Sequence, residues 1–163
     1  MGVFDKFKKK ETVVEDPGIY SPVAGKVATL ESLHDGMFSE KILGDGIVVI
    51  PSDGEFKVPV SGVLESAFPT GHAYGIRTKS GREVLIHIGL DTVEMKGEGF
   101  RSYVKQGQEV RMGDKMVSVD LQAVKKAGYS SATIIIVTSQ DKISYRVPED
   151  TAVKACEKLL ELD

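Results

Sequence analysis

Apolar and polar residues alternate along most of this chain in short stretches, and glycine or proline closes nearly every stretch. β-branched residues cluster between those breaks. Runs of this length, bounded by turn formers, read as strands and hairpins. The segments that fit are Ile19 to Leu30, Gly46 to Ser52, Phe56 to Phe68, His72 to Thr78, Glu83 to Gly89, Gln108 to Leu121 and Ser131 to Thr138. The fold class expected is mainly β, a sandwich or a barrel.

Helical spacing occurs in two places. Leu121 to Ala127 is a short candidate. Thr151 to Leu160 sets Val153, Cys156, Leu159 and Leu160 on one stripe, which predicts a terminal helix docked on the sheets. Cys156 then reads as a small buried hydrophobe rather than a reactive thiol.

The pattern also repeats once. Ser21-Pro22-Val23-Ala24-Gly25-Lys26-Val27 echoes Val58-Pro59-Val60-Ser61-Gly62-Val63-Leu64. In each copy proline opens a strand or holds an edge, and glycine permits a bend. Two copies are too few for a solenoid, so the expectation is a sandwich of two pseudo-symmetric halves.

The first ten residues, MGVFDKFKKK, depart from the β texture. Val3, Phe4 and Phe7 fall on one helical face, beside a cluster of Lys6, Lys8, Lys9 and Lys10. Two uses fit: a flexible solubilising tail, or weak contact with an anionic membrane surface through residues 1–10. We expect a tail over 1–17 and a single domain over 18–163.

Composition narrows the partners. A net charge of −3 provides no electrostatic footprint for nucleic acid. One cysteine leaves no internal disulfide and suits a reducing compartment. No apolar run reaches the length of a membrane span, and no signal peptide is visible. The expectation is a soluble cytoplasmic monomer.

The chemistry concentrates between Thr70 and Phe100, which hold His72 and His87. Histidine serves as neutral nucleophile, metal ligand or proton shuttle near neutral pH. Side chains alternate along strands, so His72, Tyr74 and Ile76 should share one face, and Leu85 and His87 another. Val84, Ile86 and Ile88 then point into the core. An even-length turn through Thr78-Lys79-Ser80-Gly81 would put both histidines on one face, and an odd turn or a bulge would separate them. The even case is the commoner short hairpin. If the two meet, phosphoryl transfer, metal binding and a purely structural pair all remain open. The third histidine, His34, sits in the turn-like LHDGMF and reads as a surface loop residue. No H-x-H or H-E-x-x-H spacing exists. Asp91 lies just past the second strand, and Gly97 and Gly99 imply a sharp backbone path around Glu98.

The stretch LIHIGLDTVEMKGEGF, with TGHA before it, resembles the glucose-type enzyme IIA of the bacterial phosphotransferase system. GDGIVVIPSDG, SPVAGKV, VPVSGVL and VKQGQEVRMGDKM share the resemblance, which runs from about Gly18 onward. It implies an antiparallel β-sandwich and a phosphocarrier, a phosphotransferase component that works through phosphohistidine and without a cofactor. The phosphocarrier HPr would hand a phosphoryl group to His87, which would pass it to a cysteine of an enzyme IIB domain of a sugar permease. His72 matches the histidine that hydrogen-bonds the phosphoryl group, and Thr70 the threonine supporting it. Asp35 and Asp91 match acids that meet the basic surface of HPr. Met37, Leu43, Phe68, Leu85 and Val93 match an apolar rim for partners. The resemblance implies no intrinsic metal, although in some relatives the two histidines bind zinc with a partner's carboxylate. It extends to regulatory targets in some relatives.

Two other classes stand beside this one. Paired β halves and Glu94-Met95-Lys96-Gly97 are superficially like a biotinyl or lipoyl swinging-arm carrier, though the residues flanking Lys96 are wrong for it. A zinc hydrolase on a similar sandwich lacks ligands, because two histidines fall short of the usual three.

Overall fold

A computed structural model describes residues 15–163. The apolar and basic face within residues 1–10, and its membrane contact, lie outside the described residues. The elements in chain order are β1 (Gly18–Tyr20), β2 (Gly25–Ala28), β3 (Asp45–Pro51), β4 (Glu55–Lys57), β5 (Gly62–Ala67), β6 (Ala73–Arg77), β7 (Glu83–Leu90), β8 (Phe100–Ser102), β9 (Glu109–Val110), β10 (Lys115–Val119), α1 (Leu121–Lys126), β11 (Ser130–Val137), β12 (Ile143–Arg146), β13 (Ala152–Val153) and β14 (Lys158–Leu162). Every strand pairing is antiparallel. The fold is an antiparallel β-sandwich, as expected.

An eight-stranded sheet runs β13-β2-β3-β11-β7-β6-β5-β9, and two three-stranded sheets run β1-β14-β12 and β4-β10-β8. The order is a palindrome. Strands β4 to β10 form one contiguous half. The other half is split, β1 to β3 before it and β11 to β14 after it. The pseudo-two-fold axis passes between β7 and β11, where Leu85 pairs with Ile136 and His87 with Ile134. The two echoed segments lie against one another: Tyr20 N donates to Pro59 O at 2.9 Å, and Lys57 N to Pro22 O at 2.7 Å.

The large sheet buries both faces. Val84, Ile86 and Ile88 of β7 join the main core with Ile135 and Val137 of β11. The opposite face carries a smaller core of Val48, Ala132, Ile134 and Ile136, closed by Leu30 and Phe38 from the β2–β3 connection. This explains the unbroken apolar run in β11: each of these isoleucines is buried on one face or the other. Burying one contributes about 2–3 kcal/mol.

Leu121 to Lys126 is helical, with the Asp120 side chain accepting from Ala123 N at 3.1 Å as its cap. The helix expected over Thr151 to Leu160 is absent. That segment is β13, a turn and β14, and Cys156 lies half-buried in the turn at φ +72°. Val153-Lys154-Ala155-Cys156-Glu157-Lys158-Leu159 is the symmetry mate of Val110-Arg111-Met112-Gly113-Asp114-Lys115-Met116. Lys154 N bonds Glu157 Oε1 at 2.7 Å, and Arg111 N bonds Asp114 Oδ2 at 2.9 Å. Val153 pairs with Gly25, and Val110 pairs with Gly62. Ladder pairing and a side-chain-closed turn therefore override a stripe that also fits a helix.

Glu15 to Pro17 precede the expected boundary at Gly18, and they are held in place. Glu15 Oε1 accepts from Ser80 N at 2.9 Å, and Pro17 O from Leu162 N at 2.9 Å. Arg82 reaches Glu15 at 3.5 Å, Asp141 at 3.4 Å and the Asp163 carbonyl at 3.0 Å.

Candidate functional site

His87 stands on β7 on the face of the smaller core. Between Arg77 and Glu83 the β6–β7 hairpin spans 78–82, an odd loop, which pairs Ala73 with His87 and Tyr74 with Ile86. The expectation of an even turn is thus overturned, and so is the shared face of His72 with Tyr74 and Ile76. The histidines meet nevertheless. His72 precedes the first residue of β6, directly after Gly71, which takes φ +76°. Its ring is therefore free of the strand's alternation. The two rings lie edge to face, centroids 5.0 Å apart and planes at 85°.

Each ring is oriented by one hydrogen bond. His87 Nδ1 lies 2.8 Å from Gly89 O, so a neutral ring keeps its proton on Nδ1 and leaves the Nε2 lone pair free. Gly89, at φ +83°, turns the chain so that its carbonyl faces back to the ring. His72 Nδ1 lies 2.5 Å from the Thr70 hydroxyl.

Burial, then the neighbouring His87, brings His72 down to about 4. Burial also lowers His87, opposed by the Gly89 carbonyl and the Asp91 and Asp35 carboxylates. Both rings are therefore neutral at pH 7, the state a histidine nucleophile needs. His72 is almost fully buried, whereas His87 is half-buried beside a cleft.

Phenylalanines pack on both rings. Phe38 lies 5.1 Å from His87, and Phe68 lies 5.4 Å from His72 in an edge contact. The cleft at His87 is lined by Asp35, Met37, Phe38, Leu90, Asp91 and Val93. Met37, Phe68 and Val93 are exposed apolar residues, as a rim requires. Leu43 is exposed outside that lining. Leu85 is half-buried, packs on the smaller core and does not line the cleft. Asp91 takes φ +62° before the 3-10 turn Thr92–Met95, and its carboxylate caps nothing. Asp35 is different, because Met37 N, Phe38 N and Ser39 N all donate to its carboxylate. His34 is an exposed loop residue, and Gly97 and Gly99 take positive φ, both as expected.

Sequence reading missed Phe38 and Leu90. Phe38 is 3% exposed although it lies in a segment without strands, and it touches His87. The signal was an apolar pair directly after Asp35-Gly36, which a solvated turn would not carry.

Among the described residues no three His, Cys, Asp or Glu side chains converge as a metal site. No described helix is long and apolar enough to cross a membrane.

The sequence model of the phosphoenolpyruvate-dependent sugar phosphotransferase system EIIA 1 family matches residues 18–143. This chain belongs to that family. A glucose-specific EIIA component of Halalkalibacterium halodurans is 42% identical over 143 residues, 88% of this chain and 83% of that one. A glucose-specific EIICBA component of Streptococcus pneumoniae is 46% identical over 125 residues, 77% of this chain and 17% of that protein. The solved structure of glucose permease IIA from Mycoplasma capricolum superposes with a TM-score of 0.83 at 43% identity, covering 88% of this chain and 93% of that one. As a member of the EIIA 1 family, the chain is a phosphocarrier, a phosphotransferase component of sugar transport. The swinging-arm carrier and the zinc hydrolase find no support in these relatives.

Proposed function

We propose that His87 is the residue that carries the phosphoryl group. The observation that supports this most is the Nδ1 contact with Gly89 O, which leaves Nε2 as a neutral nucleophile at the cleft. Phospho-HPr is the donor. The Nε2 lone pair attacks phosphorus, and the bond to the donor breaks with its electron pair staying on the donor. In the second step a cysteine thiolate of an enzyme IIB domain attacks phosphorus, and the N–P electron pair returns to Nε2. The acceptor is argued from a relative whose name joins A, B and C parts in one chain.

His72 steadies the transferred group. With Thr70 donating its hydroxyl proton to Nδ1, the neutral ring carries its proton on Nε2 and offers N–H to a phosphoryl oxygen. Catalysis is then positioning in a prebuilt sandwich, with little reorganisation. Met37, Phe68, Val93 and Asp91 form the partner surface, with Leu43 and the half-buried Leu85 as its further apolar members. An apolar patch with a few acids suits brief encounters with basic, partly apolar partners. We place the working domain at 18–163, with Glu15 to Pro17 fastened to it, in the cytoplasm.

The test is phosphotransfer from phosphoenolpyruvate through enzyme I and HPr, followed by mapping of the modified residue. One phosphate on His87 is expected. His87→Gln should accept none, and His72→Gln should accept but pass it on poorly. Normal phosphorylation of His87→Gln would sink the assignment.

A further inference from the structure

We infer that Asp35 is a positioning residue, whose carboxylate folds the turn that seats Phe38 against the His87 ring. The inference rests on His87 as the phosphoryl carrier and concerns what holds that ring.

Asp35 lies in the segment 29–44 that joins β2 to β3. The described part of this segment contains one 3-10 turn and no strand. Its path bends sharply, with His34 at φ +50°, Gly36 at +77° and Lys41 at +58°. Such a path needs side-chain acceptors for its backbone N–H groups. Asp35 supplies them: Oδ1 accepts from Met37 N at 3.4 Å and Ser39 N at 2.8 Å, and Oδ2 from Phe38 N at 3.1 Å. Burial would push its carboxyl up, but the Ser39 and Phe38 N–H groups outweigh that and hold it below the usual range.

The residue placed by this turn is Phe38. It is 3% exposed, packs with Leu30, Val48, Ala132, Ile134 and Ile136, and its ring tilts at 54° onto His87. A hydrogen bond from Nδ1 fixes one edge of the imidazole and leaves its faces free. Phe38 packs against the ring at 5.1 Å between centroids. Asp35 therefore reaches the reacting nitrogen through Phe38, while Asp91, whose carboxylate caps nothing, remains available to a partner's cation.

Charge and positioning predict opposite rankings of two substitutions. Asp35→Asn loses the charge but keeps an acceptor oxygen for Met37 N and Ser39 N. Asp35→Glu keeps the charge but carries the oxygens one methylene too far for the turn. On the full chain, phosphoryl acceptance from phospho-HPr should rank wild type, then Asn, then Glu and Ala together. Turnover should fall about tenfold for Glu and Ala and less than about threefold for Asn, the scale of a misplaced reacting group. In the unphosphorylated proteins, the NMR contact between the Phe38 and His87 rings should persist in Asn and vanish in Glu and Ala. Turnover of Glu at or above that of Asn, or a Phe38–His87 contact unchanged in Ala, overturns the inference. The ring contact is read without phosphoryl transfer, so it still decides the role of Asp35 if His87 proves not to be the carrier.

Discussion

The Thr70 hydroxyl and His72 Nδ1 are 2.5 Å apart, which ties the ring of the second histidine to a neighbour two residues away. Thr70→Val keeps the volume and removes the hydroxyl. We expect acceptance by His87 to survive and onward transfer to the IIB cysteine to slow by about 10–100-fold, the usual effect of removing a group that orients a histidine. Single-turnover transfer kinetics check this, and nitrogen NMR of the ring should show a mixed tautomer.

The histidine pair should make stability depend on pH in a defined window. His72 titrates near 6.5 when unfolded and at about 4 when folded. Between these values the unfolded state binds the extra proton, so stability rises with pH across the window and falls on acidification. His87 is lowered too and acts in the same sense. One such group gives a slope of up to about 1.4 kcal/mol per pH unit. Denaturant unfolding of wild type and His72→Gln from pH 4 to 7 should show the difference between them widening toward neutral pH, against the variant's flatter profile. Parallel curves would contradict the shift.

Cys156 stands where its symmetry mate has Gly113, at φ +72° against +95°. A side chain with a Cβ in this region costs about 1–2 kcal/mol, and glycine gives back about 0.5–1 kcal/mol through the freedom of the unfolded chain. Cys156→Gly should therefore raise stability slightly, by up to about 1.5 kcal/mol on these figures. Thermal unfolding under reducing conditions measures it.

The echoed glycines should fail alike. A Cβ on Gly25 would meet the Ile50 carbonyl, and one on Gly62 the Arg77 carbonyl, both rigid backbone in a paired strand. Gly25→Ala and Gly62→Ala should each cost several kcal/mol, roughly the upper range for overpacking. A marked difference between the two in chemical denaturation would break the equivalence of the halves.

The strands around the histidines were legible because alternation and turn residues agree there. Val84, Ile86 and Ile88 point to the core as their spacing says. The pairing of His72 with His87 was legible as a site but not by the parity of the turn, because His72 lies outside the ladder and Gly71 redirects it. The C-terminal strands were hidden because Val153, Cys156 and Leu160 fit a helical stripe, while the repeat that exposes them has Cys where its mate has Gly. Phe38 was hidden because burial of a residue within a long connection leaves no periodic trace.

The palindromic sheet assigns each histidine a counterpart in the other half. Ile136 holds the place of His87, and Asp45, bound to Arg146 at 2.7 Å, holds the place of His72. That half carries an apolar contact and an ion pair at these two places. That same half sends out the connection bearing Asp35 and Phe38, and the Phe38 ring packs against His87 of the other half. The surroundings of His87 are thus assembled from both halves, and neither half holds all the contacts of that ring by itself.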